Sequence, residues 1–299
     1  VATKPTDKKT PVDGGLPDQD PATTAPTGAA LTTAAPGGPP ADLADDMEAL
    51  AGAGISDRPE DASTPWLVVL QKGSPEVNKH EPEYVPGAEA GDFMHSITKR
   101  LWKQAEGGPC VLQAFFQKNE VEWVPRGSGG GYVATHDANT ALGRQVTLVQ
   151  APGGSKRMLR MLPNGNQLVE TNYHFLIDVD AMDMMVLGLT STGLGFSRRW
   201  TAAMKSHKIR GANGPVIAPS FTRVYQLKTL YQKNDQGDWF VPVAEDLGWV
   251  QTGTDQRFAY EAAKKFFLQA NSMGSVPMGR PADSGSTIDA APAEDSGPL

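Results

Sequence analysis

The 299-residue chain has one cysteine, Cys110, and the lack of a second thiol removes several classes at once. A single cysteine forms no internal disulfide, which excludes a stapled secreted scaffold. Zinc fingers, iron–sulfur sites and CxxC redox pairs all need more thiolates than this. Long apolar runs are missing as well. The longest, Trp66–Leu70 and Met184–Leu189, fall far short of the ~20 residues of a membrane span. The first residues include lysines but no apolar block behind them, so they do not read as a signal peptide. A soluble, cytoplasmic protein is expected.

Acidic residues are also missing where they matter most. The net charge is −7 overall, but residues 1–65 hold four basic and eleven acidic side chains, and residues 271–299 one basic and four acidic. The intervening 66–270 is left with 22 basic and 19 acidic groups, a net +3. Between Asp183 and Asp235 there is no acid at all. At the chain's average of 34 acids in 299 residues, a stretch of that length carries about six. It carries eight cations instead: Arg198, Arg199, Lys205, Lys208, Arg210, Arg223, Lys228 and Lys233. A field of one sign attracts polyanions, because binding releases counterions from phosphates. The bland alternative is a solvated face whose charge is answered by acids elsewhere in space.

Large apolar residues are scarce up to about Pro40, where Thr, Ala, Pro, Gly and Asp dominate. Such a segment buries too little surface to offset the entropy of ordering it. Residues 42–51 have the spacing of a short amphipathic helix through Leu43, Met47 and Leu50. Three regions are therefore expected: a disordered acidic arm over 1–64, a folded body over 65–270, and a disordered tail over 271–299. Within the body, strand signals dominate. Val111–Val124, Met158–Leu162, Leu168–Val179 and Met185–Thr190 read as strands. Pro163-Asn164-Gly165 marks a hairpin. Phe221–Tyr231 and Trp239–Val243 flank a second turn at 234–237.

Two helices are expected, over 194–208 and 255–271. The first should bury Phe196, Trp200, Ala203, Met204 and His207 after the cap-like Thr190-Ser191-Thr192. The second, capped by Thr254, should bury Phe258, Ala262, Phe266, Phe267 and Ala270. The order predicts a mainly β (α+β) fold: an OB-like antiparallel barrel with a helix between its third and fourth strands and a C-terminal helix.

Aromatic rings lie among the cations. Single-strand binders combine a basic groove with flat rings on which bases stack. Tyr225 and Tyr231, on one strand face with Arg223, are the candidates. Trp123 and Tyr132, flanking Arg126 and the glycine-rich loop 127–131, are a second pair, with the loop expected to fold over a bound strand. Trp200 and Phe221 read as core. The glycine loops lack the Gly-Lys-Ser/Thr ending of a P-loop. Asp178, Asp180 and Asp183 alternate as magnesium ligands on a nuclease strand would, or as a polar strand end. The five histidines show no ligand spacing, and no nucleophile elbow is present. Neither catalytic residues, nor a metal, nor a cofactor is expected.

The segments Trp66-Leu67-Val68-Val69-Leu70-Gln71, Ser74-Pro75-Glu76-Val77 and Gly87–Phe93 resemble a group of bacteriophage proteins. So do Val121–Arg126 with its glycine loop and Leu189–Leu194 running into Ser197-Arg198-Arg199-Trp200. The chain is similar over about 66–245 to phage single-stranded DNA-binding proteins of replication and recombination. That resemblance implies an OB-type barrel coating single-stranded DNA in the cytoplasm of the infected host, with phage or host replication proteins as further partners. The C-terminal tail, Ala293–Leu299, departs from the acidic recruiting tail of such proteins: it has little acid and no terminal aromatic. The expected function is sequence-independent single-stranded DNA binding. Arg198, Arg199, Lys205, Lys208, Arg210 and Arg223 would meet phosphates, Tyr225, Tyr231, Trp123 and Tyr132 would meet bases, and Lys228 and Arg126 complete the expected nucleic-acid-binding residues. A virion structural protein and a metal-dependent nuclease are the rival readings. One tension is built in, because the helix of an OB barrel closes its bottom, away from the usual groove.

Overall fold

The computed structural model describes residues 63–278, apart from 139, 152–157 and 235–236; of Arg126 only the backbone is described. The expected arm, its short helix over 42–51 and the end of the tail lie outside the described residues. The fold is mainly β, with antiparallel sheets and two helices. Strands β1 (Leu67–Val69), β2 (Phe93–His95) and β3 (Leu101–Trp102) make a small sheet. The large sheet holds β4 (Cys110–Val124), β5 (Gly131–Asp137), β6 (Thr147–Gln150), β7 (Met158–Met161), β8 (Gln167–Asp178) and β9 (Met184–Leu189). After helix α1 (Gly193–Ser206) come a two-stranded ribbon, β10 (Lys208–Gly211) and β11 (Gly214–Ile217), then β12 (Arg223–Asn234) and β13 (Gly237–Trp249) of the large sheet, and helix α2 (Gln256–Met273).

β4 and β8 are the axis, paired from Val111–Asp178 to Trp123–Gln167. Near the start of β4 the sheet runs β13-β12-β4-β8-β9; near its end it runs β5-β4-β8-β7-β6. Ala114 is an extra residue between Gln113 and Phe115, and such a bulge bends a strand. The first half of β4, up to Phe116, is mostly apolar on both sides because both sides are covered there. Val111 and Leu176 join Phe196, Trp200 and Met204 of α1 in one core, while Leu112 and Ile177 join Ala259 and Ala263 of α2 in another. Gly108 is required where the chain enters β4. A Cβ there would lie 2.3 Å from the Leu227 carbonyl oxygen.

Among the described residues main-chain pairing does not close into a barrel. The gap between β9 and β13 is spanned by the segment 65–71. Val186 N donates to Pro65 O at 2.8 Å, and the Gln71 side-chain amide exchanges two 2.9 Å hydrogen bonds with the Phe240 main chain.

The strands and hairpins read from periodicity are present, with α1 and α2 within two residues of their expected ends. The start of the α2 stripe is turned by one residue: Ala259 and Ala263 are buried and Phe258 is 60% exposed, whereas the expected Ala270 is buried. Alanines let the helix sit close on β4, leaving Phe266 and Phe267 to reach in beside them. The expected side-chain caps are absent, since neither Thr192 nor Asp255 at the N-cap positions makes one. Beyond α2 the chain continues over the sheet, where Val276 exchanges two hydrogen bonds with the Gln117 amide.

Candidate nucleic-acid interface

α1 is held by an apolar stripe and by a buried polar clamp. Phe196, Trp200 and Met204 recur every four residues and face the sheet. Between them Ser197 Oγ lies 2.8 Å from both Asn172 Nδ2 and His174 Nε2, and His174 Nδ1 lies 2.6 Å from Gln113 Oε1. Gln113 Oε1 only accepts, so Nδ1 carries the imidazole proton and Nε2 accepts from the Ser197 hydroxyl. Burial pushes the His174 pKa down to about 3, keeping the ring neutral. His174 also stacks on Trp200 at 4.8 Å. The hydroxyl–imidazole–amide order is that of a nucleophile with its base. His174 and Ser197 are both 0% exposed, however, and the arrangement fastens a helix to a sheet.

That fastening decides which side chains α1 turns outward: Arg198, Arg199 and Lys205 are exposed. The chain then enters the β10–β11 ribbon, whose base is closed by Ala218 N donating to His207 O at 2.9 Å. The register sets Lys208 opposite Ile217 and Arg210 opposite Pro215 on one face, with Ile209 opposite Val216 on the other. Lys208, Ile209, Arg210, Val216 and Ile217 are all exposed. Arg198 approaches Glu170 at 3.8 Å with its own side chain 65% exposed, a contact worth little in water. Arg199, Lys205, Lys208 and Arg210 make no ion pair among the described residues. Five cations thus share one helix and the ribbon that follows it.

Two of the other expected cations, Arg223 and Lys228, are answered by β13. Arg223 holds Asp246 through Nε and Nη2 at 2.7–3.0 Å, and Lys228 pairs with Glu245 at 2.5 Å. The acid-free segment is an acid-free stretch of sequence, not of space. Burial alone would raise the Asp246 pKa, but the Arg223 and Gly248 hydrogen bonds and the charges of Arg223 and His207 hold it below the usual range.

The expected stacking surface on β12 is corrected by the structure. Tyr225 is 2% exposed and sits edge-on to Trp200 at 5.5 Å, with burial pushing its pKa up to about 12. Alternation had placed it beside Arg223, but that face is covered by α1. Tyr231 is exposed, donates its hydroxyl to Asp238 at 2.9 Å and lies 5.8 Å from the Lys72 ammonium. Trp123 and Tyr132 are cross-strand neighbours, edge-to-face at 5.8 Å, half-buried against the Tyr173–Phe175 core. Between them Arg126–Ser128 forms a 3-10 turn, and Gly129, Gly130 and Gly131 all have positive φ. The two aromatic groups do not meet. β12 crosses β4 only at Tyr225–Val111 and Gln226–Cys110 and runs the opposite way. Tyr231 and Lys228 therefore project past the start of β4, whereas Trp123 and Tyr132 stand at its end, ~40 Å away along the strand.

Asp178 is 1% exposed and its carboxylate is taken up by Arg100 at 2.8 Å and by Asp180 N at 3.1 Å. It is not presented together with Asp180 and Asp183. Among the described residues no group of three His, Cys, Asp or Glu side chains is placed to hold a metal, and no helix is long and apolar enough to cross a membrane.

Sequence reasoning missed the ribbon, although Asn213-Gly214 between Ile209 and Val216-Ile217 is a turn signal. It also missed Trp249, an exposed ring at the end of β13 with the Arg223 guanidinium 4.7 Å from its centroid and His207 6.3 Å away. No curated protein and no solved structure matches the chain. A family model for Pam3 phage gp34-like proteins matches residues 32–275, most of the sequence. The exposed cations on α1 and its ribbon are thus carried by a phage protein, and the chain belongs to the Pam3 phage gp34-like family.

Proposed function

We propose that this phage protein is a non-enzymatic, largely sequence-independent binder of single-stranded DNA, acting in phage DNA replication or recombination in the host cytoplasm. One observation carries the reading: Arg198, Arg199, Lys205, Lys208 and Arg210 are exposed and, among the described residues, make no ion pair closer than the 3.8 Å approach of Arg198 to Glu170. A row of free cations on a rigid helix and ribbon suits a phosphate backbone, whose binding is sequence-independent. The OB-type barrel belongs to the same proposal. Taking β4, β8, β9, β12 and β13 as strands one to five, one neighbours two and four, two neighbours three, and four neighbours five. α1 falls between three and four, as an OB Greek key requires. The DNA follows α1 and the ribbon rather than the β8–β9 face, so phosphate contacts outweigh base stacking.

Fluorescence anisotropy with labelled single-stranded and duplex oligonucleotides tests the reading. Tighter binding to the single strand that weakens steeply with salt is expected. Equal binding to both, or none, overturns it. Recovery of the protein from purified particles would favour the virion reading instead, and magnesium-dependent cleavage of the DNA the nuclease reading.

A further inference from the structure

We infer that Trp249 and the groove beside it hold one unstacked base of the bound strand. The inference rests on the single-stranded DNA reading above and gives it a base contact that the expected tyrosines do not provide. The site is built by a bulge. Tyr225 pairs with Asp246 and Val224 with Gly248, so Leu247 is an extra residue in β13. Residues three apart in a regular strand point to opposite faces. The extra residue brings both Asp246 and Trp249 to the face of Arg223, and Gly248, at φ +107°, supplies the backbone turn this needs.

The consequence is a preset ring. Asp246 grips the Arg223 guanidinium from two nitrogens, and the guanidinium lies over the indole at 4.7 Å. His207, at the end of α1, reaches Asp246 at 2.9 Å and meets the indole edge-on. Trp249 nonetheless stays 42% exposed, which is unusual for so large an apolar ring already covered on one side. Beside it runs a groove of about 440 Å³, lined by Thr222, Trp249, Val250 and Thr252 and, from α2, by Arg257, Tyr260 and Glu261. That volume lies within the ~300–1,000 Å³ of small-ligand clefts. The occupant is set by the flat ring and the polar rim. Arg257, exposed and without an ion pair among the described residues, and Glu261 line the groove from α2, while Lys205 and Lys208 neighbour His207 along the chain. A slot with one flat exposed ring, a carboxylate to accept from a base edge and a free cation for the adjoining phosphate fits a planar base of a single strand.

The test uses the full chain with two single-stranded probes of equal length and charge, oligo(dT) and the same backbone with every base omitted. Trp249→Leu should weaken oligo(dT) binding roughly fivefold to a hundredfold and leave the base-free probe unaffected. Trp249→Phe, which keeps a ring, should recover most of the oligo(dT) affinity. Unchanged oligo(dT) binding by Trp249→Leu refutes this inference alone, and an equal loss on both probes does too, because the ring would then be structural. Wild-type protein that binds neither probe overturns the DNA-binding reading itself.

Discussion

Lowering the pH from 7 to 5 charges His174 in the unfolded chain but not in the folded one, and the molecule should weaken accordingly. The unfolded imidazole titrates near 6.5, whereas burial holds the folded one at about 3. A depressed histidine pKa means that the unfolded state binds the proton first, so stability falls as the pH drops below the unfolded value and stops falling near the folded one. At pH 5 the gap amounts to about 2 kcal/mol, growing to roughly 4 kcal/mol near pH 3. That is a large part of the ~5–15 kcal/mol typical of a folded domain. His95, also depressed by burial, adds to the same slope. Glu122 and Asp246, held low by their partners, act only below the usual carboxylate range. The comparison is therefore between wild type and His174→Gln in urea denaturation from pH 7 to 4.5. The variant is expected to start less stable and to lose about 2 kcal/mol less between pH 7 and 5. Parallel curves would refute the clamp as described.

Tyr225→Ala should cost about 3–5 kcal/mol of stability, seen as a lower urea midpoint without DNA, because the ring is core rather than surface. Gly108→Ala should cost at least about 1–3 kcal/mol, since the Leu227 carbonyl and the Phe93 ring leave no room for a methyl group; thermal unfolding reads it directly. Lys228→Ala should leave DNA affinity within about twofold at moderate salt, because Glu245 already answers that charge; anisotropy checks it.

Local chemistry was legible in the sequence to the extent that it is local. Asn164-Gly165 announced the turn into β8, and the Phe196–Trp200–Met204 spacing announced α1. What failed was cross-strand. Periodicity put Tyr225 and Arg223 on one face, but which faces α1 covers is decided by Ser197 meeting His174 and Asn172, 23 and 25 residues away. The acid gap pointed to the right helix and ribbon. It overcounted at Arg223 and Lys228, whose acids arrive on β13 through a hairpin just beyond the gap. Trp249 was passed over because its exposure depends on a one-residue bulge that alternation does not reveal. The α2 stripe slipped at its start because two alanines, Ala259 and Ala263, individually weak signals, pack closer than Phe258 could.

The central claim is that free cations on α1 and the β10–β11 ribbon carry the binding. Its most direct test is the slope of log affinity against log salt for single-stranded DNA, in wild type and in the triple variant Lys205→Ala, Lys208→Ala, Arg210→Ala. Five phosphate contacts predict a slope of about −3.5, and losing three should reduce its magnitude by about 2. The same slope in both proteins would contradict the account.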